Sequence, residues 1–144
     1  MTRKLPSLLS MRKSYEQTLE YLFSQLPMFQ RIGPKALKKD LNNIILLTNA
    51  LDKHQEKFPS IHIAGTNGKG STAFTTAAVL QANGYRTGLY VSPHYKDFRE
   101  RIRINGEVIE ESNVVDFVEK NRVVFEELNP SFFEMTVALA YQLF

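Results

Sequence analysis

The stretch IHIAGTNGKGST, Ile61–Thr72, decides the fold of this chain. An apolar, partly β-branched run leads into a cluster of glycines around Lys69, and two hydroxyl residues follow. Glycines let backbone N–H groups approach an anion closely, and a helix N-terminus offers free N–H donors and a partial positive charge. Lys69 adds a mobile positive charge that suits the β- and γ-phosphates of a nucleotide. The stretch therefore predicts a phosphate-binding loop.

The spelling of this loop departs from the general nucleotide-binding patterns. The phosphate-loop pattern G-x-x-x-x-G-K-[ST] requires a wider glycine spacing and a hydroxyl after the lysine. Here two residues separate Gly65 from Gly68, and Gly70 takes the place of the hydroxyl. The dinucleotide pattern G-x-G-x-x-G fails on spacing too, and Ser92 ends the next predicted strand where that pattern wants an acidic residue. A plain turn between strand and helix is the structural alternative, but a lysine between two glycines favours phosphate binding.

The segments around the loop predict a βαβ unit. Ile61–Gly65 is predicted as a strand, residues 71–84 as a helix that ends at Gly84, and Thr87–Val91 as a second strand. Strand, loop, helix and strand in this order favour a parallel sheet with a right-handed crossover. The predicted fold class is therefore α/β.

Two helices are predicted before the loop. SYEQ, at Ser14–Gln17, fits a capping box and predicts a helix over Tyr15–Leu26. A second helix is predicted over Lys35–Leu51, because apolar residues recur there at helical spacing. The predicted core-facing residues of this second helix are Leu37, Leu41, Ile44, Ile45 and Thr48.

Two more helices are predicted after the βαβ unit. Asn105–Gly106 predicts a tight turn, and a helix follows over Asn113–Leu128. A last helix begins after Ser131, a good N-cap. The predicted core-facing residues of the first of these helices are Val114, Phe117, Val118, Phe125 and Leu128.

Composition narrows the possible classes of protein. Of the 144 residues, 43% are apolar and 23% are charged, which is typical of a globular domain. The sequence contains neither an apolar run long enough for a membrane span nor a convincing signal peptide, so we expect a cytoplasmic protein without a membrane partner. Zero cysteines exclude disulfides and thiolate metal sites. The net charge of +3 favours a solvated surface over nucleic-acid binding.

The loop and four other segments carry a resemblance to a known family. The loop AGTNGKGST is joined by YLFSQLPMFQRIG, GLYVSPH, FRERIRINGEVI and PSFFEMTVALAYQLF, in one order over nearly the whole chain. Together they resemble the N-terminal part of the folylpolyglutamate synthase and dihydrofolate synthase family, a branch of the Mur ligase superfamily. In that branch glycine after the lysine is usual.

This resemblance implies a fold and a reaction. The fold is a P-loop-containing, parallel-sheet ATP-binding domain of the Mur-ligase type, of which residues 1–144 form the N-terminal part; the C-terminal domain is absent. The reaction is the ADP-forming ligation of L-glutamate to dihydropteroate or to folylpolyglutamates. ATP phosphorylates a substrate carboxylate, and the amine of glutamate displaces phosphate from the acyl phosphate. ATP and Mg²⁺ are the implied cofactors.

The resemblance also implies the residues of the site. Lys69 matches the catalytic lysine, and Ser92 matches a magnesium ligand, since its hydroxyl is a hard oxygen donor. The implied nucleotide-binding residues are Gly65, Thr66, Asn67, Gly68, Lys69, Gly70 and Ser71. The implied pteroate- or folate-binding residues are Gln30, Arg31, Ile32, Ser131, Phe132, Phe133 and Glu134.

Structural alternatives remain open for some of these residues. Ser131 and Glu134 also spell a capping box, and the two phenylalanines between them suit a core. Ser92 suits a turn before a proline. Three arginines of FRERIR alternate and are predicted to share one face of an extended segment, where they either order a substrate loop or form a solvated basic face. They are Arg99, Arg101 and Arg103.

Two other functions remain as alternatives. One is another Mur-type amide ligase, and the other is a non-catalytic nucleotide-binding module. The last helix is apolar on nearly all sides, which predicts a fragment of a longer protein. We expect the whole protein to be a monomer, and the 144-residue chain to be inactive alone and to associate through exposed apolar surface.

Overall fold

The computed structural model describes residues 8–25 and 41–144, with side chains from residue 14 onward. Five helices lie in these ranges: α1 (Leu8–Ser24), α2 (Asn42–Ala50), α3 (Lys69–Ala82), α4 (Glu111–Leu128) and α5 (Phe132–Leu143). The described strands are β1 (Gly88–Tyr90), β2 (Ile102–Ile104) and β3 (Glu107–Val108). Short 3-10 helices cover His54–Glu56 and Phe98–Arg101.

The described strands form one antiparallel sheet in the order β1-β2-β3. Gly88 lies opposite Ile104, and a hairpin turns β2 back into β3. Asn105 and Gly106 form its turn with φ values of 50° and 83°. Two consecutive positive φ values match the turn that suits the twist of a two-residue hairpin. The predicted tight turn is therefore confirmed.

The predicted parallel pairing is not found in the described part of the chain. Ile61–Gly65 carries no strand hydrogen bonds, and Ile61 is 66% exposed. An extended segment becomes a strand only when a neighbour satisfies its N–H and C=O groups. β1 pairs with β2 alone, so no described strand lies beside the segment. The strand predicted at Ile61–Gly65, and with it the βαβ pairing, is wrong for this structure.

The core lies between α1, α4 and α5, with α2 against α4 and α5. The prediction for α4 is confirmed, since its apolar stripe faces this core and Leu128 is partly buried against it. α5 is buried along most of its length, as its apolar sequence requires. The largest fully buried side chains are Phe125, Leu22, Leu47, Ile102, Met135, Leu139, Val114 and Thr136.

Two predictions about the early helices are corrected. α1 begins at Leu8 and runs through Ser14, whose carbonyl accepts a hydrogen bond from Thr18 Oγ1 at 2.8 Å. SYEQ is therefore helix interior and not a cap, because polar residues at helical positions can bond within the helix. Only Ser14–Gln25 has described side chains in this region, and residues 35–40 lie outside the described residues.

The second correction concerns the face of α2. The sequence favoured Leu41 and Ile45, but these side chains are 69% and 52% exposed. Leu47 is fully buried and Thr48 is 7% exposed. Thr48 is thus buried as predicted and Ile44 is partly buried against the core, so the prediction is wrong only for Leu41 and Ile45 among the described residues. The helix has more apolar residues than one face can hold, and the core takes Leu47 in place of Ile45. Leu37 lies outside the described residues.

α3 differs from the other long helices, because none of its residues is buried. It begins at Lys69, two residues before the predicted start at residue 71, and it packs along β1. Phe74 and Val79 are 45% and 57% exposed. Within the two described ranges, no helix has the length and apolar character needed to cross a membrane.

Candidate functional site

The glycine loop leads directly into the N-terminus of α3. Gly68 is the N-cap residue and lies in the left-handed region with φ 77°, and Gly65 has φ 153°. No side chain caps the helix. Thr72 N–H donates to the Gly68 carbonyl at 2.9 Å, so the N–H groups of Lys69, Gly70 and Ser71 precede the first intrahelical bond. Free donors at a helix N-terminus favour an anion.

Lys69 lies across this loop. Its Nζ donates to the Gly65 carbonyl at 2.6 Å and to the Thr66 carbonyl at 2.9 Å, and the side chain is exposed. The Lys69 side chain therefore ties the first turn of the helix to the start of the loop while remaining open to solvent. An ammonium has three donors, so the group can contact an anion without giving up both carbonyls.

Every residue of Gly65–Ser71 is exposed. The loop conformation thus depends on glycine torsion angles and on the bonds of Lys69, and not on packing against a core. Backbone N–H groups and one cation are gathered on an open surface. Such an arrangement suits an anion, and phosphate binding by the loop stays a prediction.

Ser92 lies at the other candidate region, just after β1. It is exposed, and its Oγ accepts a hydrogen bond from Arg101 Nη1 at 3.1 Å. Arg101 Nε donates to His94 Nδ1 at 2.7 Å. Arg101 itself is only 7% exposed. The buried guanidinium of Arg101 therefore holds the side chains of Ser92 and His94, which lie in the segment that follows β1.

His94 accepts the bond from Arg101 on Nδ1, so that nitrogen carries no proton in this arrangement. Burial and the positive charge of Arg101 lower the pKa of His94. Both effects disfavour the protonated imidazole. Its ring stacks on Phe23 of α1 with centroids 6.1 Å apart, which fixes the segment against the core.

Glu100 shapes the turn between His94 and the 3-10 helix. Its carboxylate accepts backbone N–H bonds from Tyr95 at 2.8 Å, Lys96 at 3.1 Å and Asp97 at 2.9 Å. These bonds to the charged form lower the pKa of Glu100. One carboxylate thus satisfies three consecutive donors and defines the path of the turn.

The segment before α5 carries the confirmed capping box. Ser131 N–H donates to Glu134 Oε2 at 2.7 Å, and Glu134 N–H donates to Ser131 Oγ at 3.3 Å. Phe132 is 4% exposed and belongs to the core, whereas Phe133 is 58% exposed. The structural role of Ser131, Phe132 and Glu134 is therefore established. Of the two aromatic rings in this segment, that of Phe133 is open to a ligand.

Arg101 connects this segment to Ser92. Its guanidinium lies over the Phe132 ring, 5.1 Å from the centroid. Tyr90 of β1 also reaches α5, where its hydroxyl hydrogen-bonds Thr136 Oγ1 at 2.9 Å. Two sequence-predicted candidates, Ser92 and Phe132, are thus joined by a residue for which the sequence offered no definite role.

The extended face predicted for the three arginines is wrong. Arg99 and Arg101 lie in a 3-10 helix and Arg103 lies in β2, so their side chains take different directions. Arg99 pairs with Asp97 at 2.7 Å. A capping box at Asp97, with Glu100 three residues later, was the available signal for this turn.

The remaining predicted residues are Gln30, Arg31 and Ile32, and they lie outside the described residues. Within the described ranges, no group of three His, Asp or Glu side chains can hold a metal ion. Ser92 fits magnesium as a single hydroxyl ligand, because the residue is exposed and its oxygen accepts one hydrogen bond, which leaves a second lone pair.

Known proteins resemble this chain over most of its length. No protein-family model matches it. Folylpolyglutamate synthase of Lacticaseibacillus casei is 37% identical over 138 residues, which cover 91% of this chain and 31% of that protein. A folylpolyglutamate synthase of Arabidopsis thaliana is 34% identical over 140 residues, which cover 91% of this chain and 24% of that protein.

Solved structures agree with these relatives. The crystal structure of folylpolyglutamate synthase from Thermotoga maritima matches with a TM-score of 0.82 and 37% identity, over 92% of this chain and 30% of that one. The Mycobacterium tuberculosis enzyme, solved with ADP and AMPPCP, matches with a TM-score of 0.78 and 32% identity, over 93% of this chain and 29% of that one.

The fold and its glycine loop define the chain as part of an α/β domain of the Mur-ligase type. The small antiparallel sheet and the helices around it are the part of that domain that the structure describes. The chain belongs to the folylpolyglutamate synthase family. It spans about a third or less of the relatives it matches.

Proposed function

We propose that this chain is the nucleotide-binding part of an ATP-dependent ligase that joins L-glutamate to dihydropteroate, to folylpolyglutamates, or to both. The observation that carries the proposal is the exposed loop at the N-terminus of α3, with its leading N–H groups and Lys69. Further support comes from relatives named as folylpolyglutamate synthases, and from one named dihydrofolate synthase/folylpolyglutamate synthase.

The proposed reaction has two steps. A carboxylate oxygen of the pteroate or folate substrate attacks the γ-phosphorus of ATP, and the bond to the β-phosphate oxygen breaks, releasing ADP. The amine of glutamate then attacks the acyl carbon and loses a proton, and phosphate leaves with the electrons of the C–O bond. Such transfers depend mostly on positioning and on stabilisation of charge.

The loop supplies the positioning of the triphosphate. We propose that the N–H groups of Lys69, Gly70 and Ser71 face phosphate oxygens, since they precede the first bond of the helix. Lys69 exchanges one of its two carbonyl partners for a phosphate oxygen and keeps charge at the transferred group. Thr66, Asn67 and the loop glycines provide the backbone that surrounds the phosphates.

Magnesium is the proposed metal cofactor, with Ser92 as one of its ligands. Magnesium is usually bound through few protein ligands, with phosphate oxygens and water completing its octahedron. When bound, it neutralises charge on the phosphate oxygens. The chain's own contribution is an exposed hydroxyl on a segment that Arg101 and Glu100 hold in place.

The pteroate side of the site is proposed at the segment before α5, together with Gln30, Arg31 and Ile32. The exposed ring of Phe133 is the part of that segment suited to stack on a flat heterocycle. Ser131, Phe132 and Glu134 support it, since the capping box and the buried ring fix the start of the helix.

Several further properties belong to this proposal. We propose a cytoplasmic monomer for the whole protein, with small molecules as its partners. The chain by itself is expected to bind nucleotide without turnover and to associate through exposed side chains such as Phe74 and Val79. Sedimentation of the purified chain at rising concentration tests the association.

Nucleotide binding is tested by calorimetric titration of this chain with a non-hydrolysable methylene analogue of ATP, with magnesium present. Lys69→Met should weaken binding by about tenfold or more, because a hydrogen bond to a charged group contributes about 1.5–3 kcal/mol. Lys120→Met is the matched control, since it removes the same charge from an exposed position on α4. Equal affinities of the two variants would contradict the phosphate role of Lys69.

The substrate is tested on the whole protein. ADP release should require L-glutamate together with dihydropteroate or a folate, and comparison of the two acceptors separates the two activities. Turnover with UDP-muramyl substrates instead would favour another Mur-type ligase. Tight ATP binding with no turnover on any acceptor would favour a non-catalytic module.

A further inference from the structure

We propose that Arg101 is a positioning residue that holds the Ser92 hydroxyl in place for magnesium. This inference rests on the proposed function, because Ser92 matters for the metal only if the site binds magnesium and a nucleotide. Arg101 itself touches neither ligand in the proposal. It acts through Ser92, and the sequence left its role open between ordering a substrate loop and forming a solvated face.

The first support is the burial of its charge. Arg101 is 7% exposed, and none of the salt bridges among the described residues includes it. Its partners among the described side chains are Ser92, His94 and Tyr90, and none of these is a carboxylate. A buried cation without a carboxylate is costly, and an apolar side chain of similar size would fill the same space at lower cost. Packing alone therefore does not account for an arginine at this position.

The second support is the geometry of the guanidinium. Its Nε and Nη1 donate to His94 and Ser92 in a fork with fixed geometry, at 2.7 Å and 3.1 Å. The Phe132 ring lies under the guanidinium, with its centroid 5.1 Å from Cζ. The ring restricts the plane of the guanidinium, and the fork then restricts the two side chains that accept from it.

The third support is the register of the sheet. Val91 N–H donates to the Arg101 carbonyl at 2.9 Å, so the antiparallel pairing of β1 and β2 continues one step past each strand. This backbone bond sets Arg101 beside the residue that follows Val91, which is Ser92. Hydrogen bonds from a second residue commonly fix the direction of a metal ligand. Arg101 donates such a hydrogen bond to the Ser92 hydroxyl.

The test measures how strongly magnesium increases the affinity for the methylene analogue of ATP. Titrations of the full chain are run with magnesium and with excess EDTA, for the unmodified chain and for Ser92→Ala, Arg101→Lys and the double variant. Lysine keeps the charge but cannot donate in a fork. The control is Arg99→Lys, two residues away, where the side chain pairs with Asp97 and makes no bond to Ser92.

We expect Arg101→Lys and Ser92→Ala each to lose about tenfold of the magnesium-dependent affinity, a typical effect of changing a residue that supports a metal ligand. The double variant should lose no more than Ser92→Ala, since both changes act on one group. Affinities in EDTA should stay alike, and Arg99→Lys should behave as the unmodified chain does.

Other outcomes separate the possible failures. Equal losses with magnesium and with EDTA would mean that Arg101 only supports the fold, and would overturn the inference. Full magnesium dependence in Arg101→Lys or in Ser92→Ala would overturn it as well. If the unmodified chain binds no nucleotide, the proposed function fails and the inference fails with it. If Arg101→Lys does not fold by circular dichroism, Arg101→Gln replaces it, because an uncharged side chain is less costly to bury.

Discussion

Lys69 and Arg101 are both cations in candidate site regions, yet they are held in opposite ways. Lys69 is exposed, and its hydrogen bonds within the described ranges go to carbonyls of its own loop, three and four residues away. Arg101 is 7% exposed and contacts side chains seven and nine residues away, as well as the Phe132 ring of α5. One region is built from local backbone geometry, and the other from tertiary contacts.

This difference separates two kinds of stability in one chain. The glycine loop and α3 contain no buried side chain, so little packing energy opposes their motion. The Ser92–Arg101–Phe132 cluster is attached to α5 and, through His94 and Phe23, to α1. We expect changes in the core to affect the cluster, and changes in the loop to affect ligand binding more than folding.

The largest expected effect is that of Phe125→Ala in the core. Phe125 is 2% exposed and lies 5.5 Å from the Phe117 ring, so the change leaves a cavity and should lower the free energy of unfolding by about 3–5 kcal/mol. Phe74→Ala on α3 is the matched control. That ring is 45% exposed, and its loss should cost below about 1 kcal/mol. Urea denaturation followed by circular dichroism measures both, and equal losses would show that α3 is as tightly packed as α4.

A smaller effect on stability is expected when a loop glycine is replaced by alanine, and Gly68 and Gly70 should differ. Gly68 has φ 77°, and a side chain there should cost about 1–2 kcal/mol of stability. Gly70 has no positive φ and open space around its Cβ position, so Gly70→Ala should leave stability unchanged or raise it slightly.

Gly70→Ala also separates an effect on nucleotide binding from an effect on folding. Gly70→Ala should still weaken binding of the methylene analogue of ATP, because a methyl group keeps the backbone N–H away from phosphate. Calorimetry on the variant, with its urea midpoint as a control for folding, measures this. Unchanged affinity in Gly70→Ala would place the phosphate away from this part of the loop.

The local part of the molecule is the part that the sequence predicted well. The glycine loop before α3 and the tight turn at Asn105–Gly106 depend on neighbours a few residues apart, and both are found. The capping box at Ser131 is also local and is confirmed. The same residues remain the proposed site.

The long-range part could not be predicted from the same information. A strand at Ile61–Gly65 fits the local pattern, but whether it pairs depends on chain elsewhere. Ile45 and Leu47 are equally apolar, and only the packed core decides that Leu47 is buried. The fork of Arg101 needs β1, the 3-10 helix and α5 in place together, so no spacing rule within FRERIR identifies it.

The smallest expected effect concerns the ion pair beside the cluster. The guanidinium and the backbone N–H of Arg99 hold the pKa of Asp97 below its usual value. A carboxyl with a lowered pKa in the folded state stabilises the fold fully above its unfolded pKa of about 3.9, and this contribution is lost as the pH falls from there through the lower pKa of the folded state. Stability from Asp97 should therefore be present at neutral pH and absent in strong acid.

Asp97→Asn tests this expectation. Because the pair is partly exposed, with 23% and 38% of the two side chains accessible, the loss near neutral pH should be at most about 1 kcal/mol. Urea midpoints of both chains should begin to converge as the pH falls below about 5, since the unfolded carboxyl then takes up protons before the native one, and the convergence should be complete only below the lowered native pKa. Asp116→Asn, at an exposed position on α4, is the control and should show no such convergence. A difference that stays constant across this pH range would mean that Asp97 acts through hydrogen-bond geometry and not through its charge, and the turn that carries Arg101 would then not depend on ionisation.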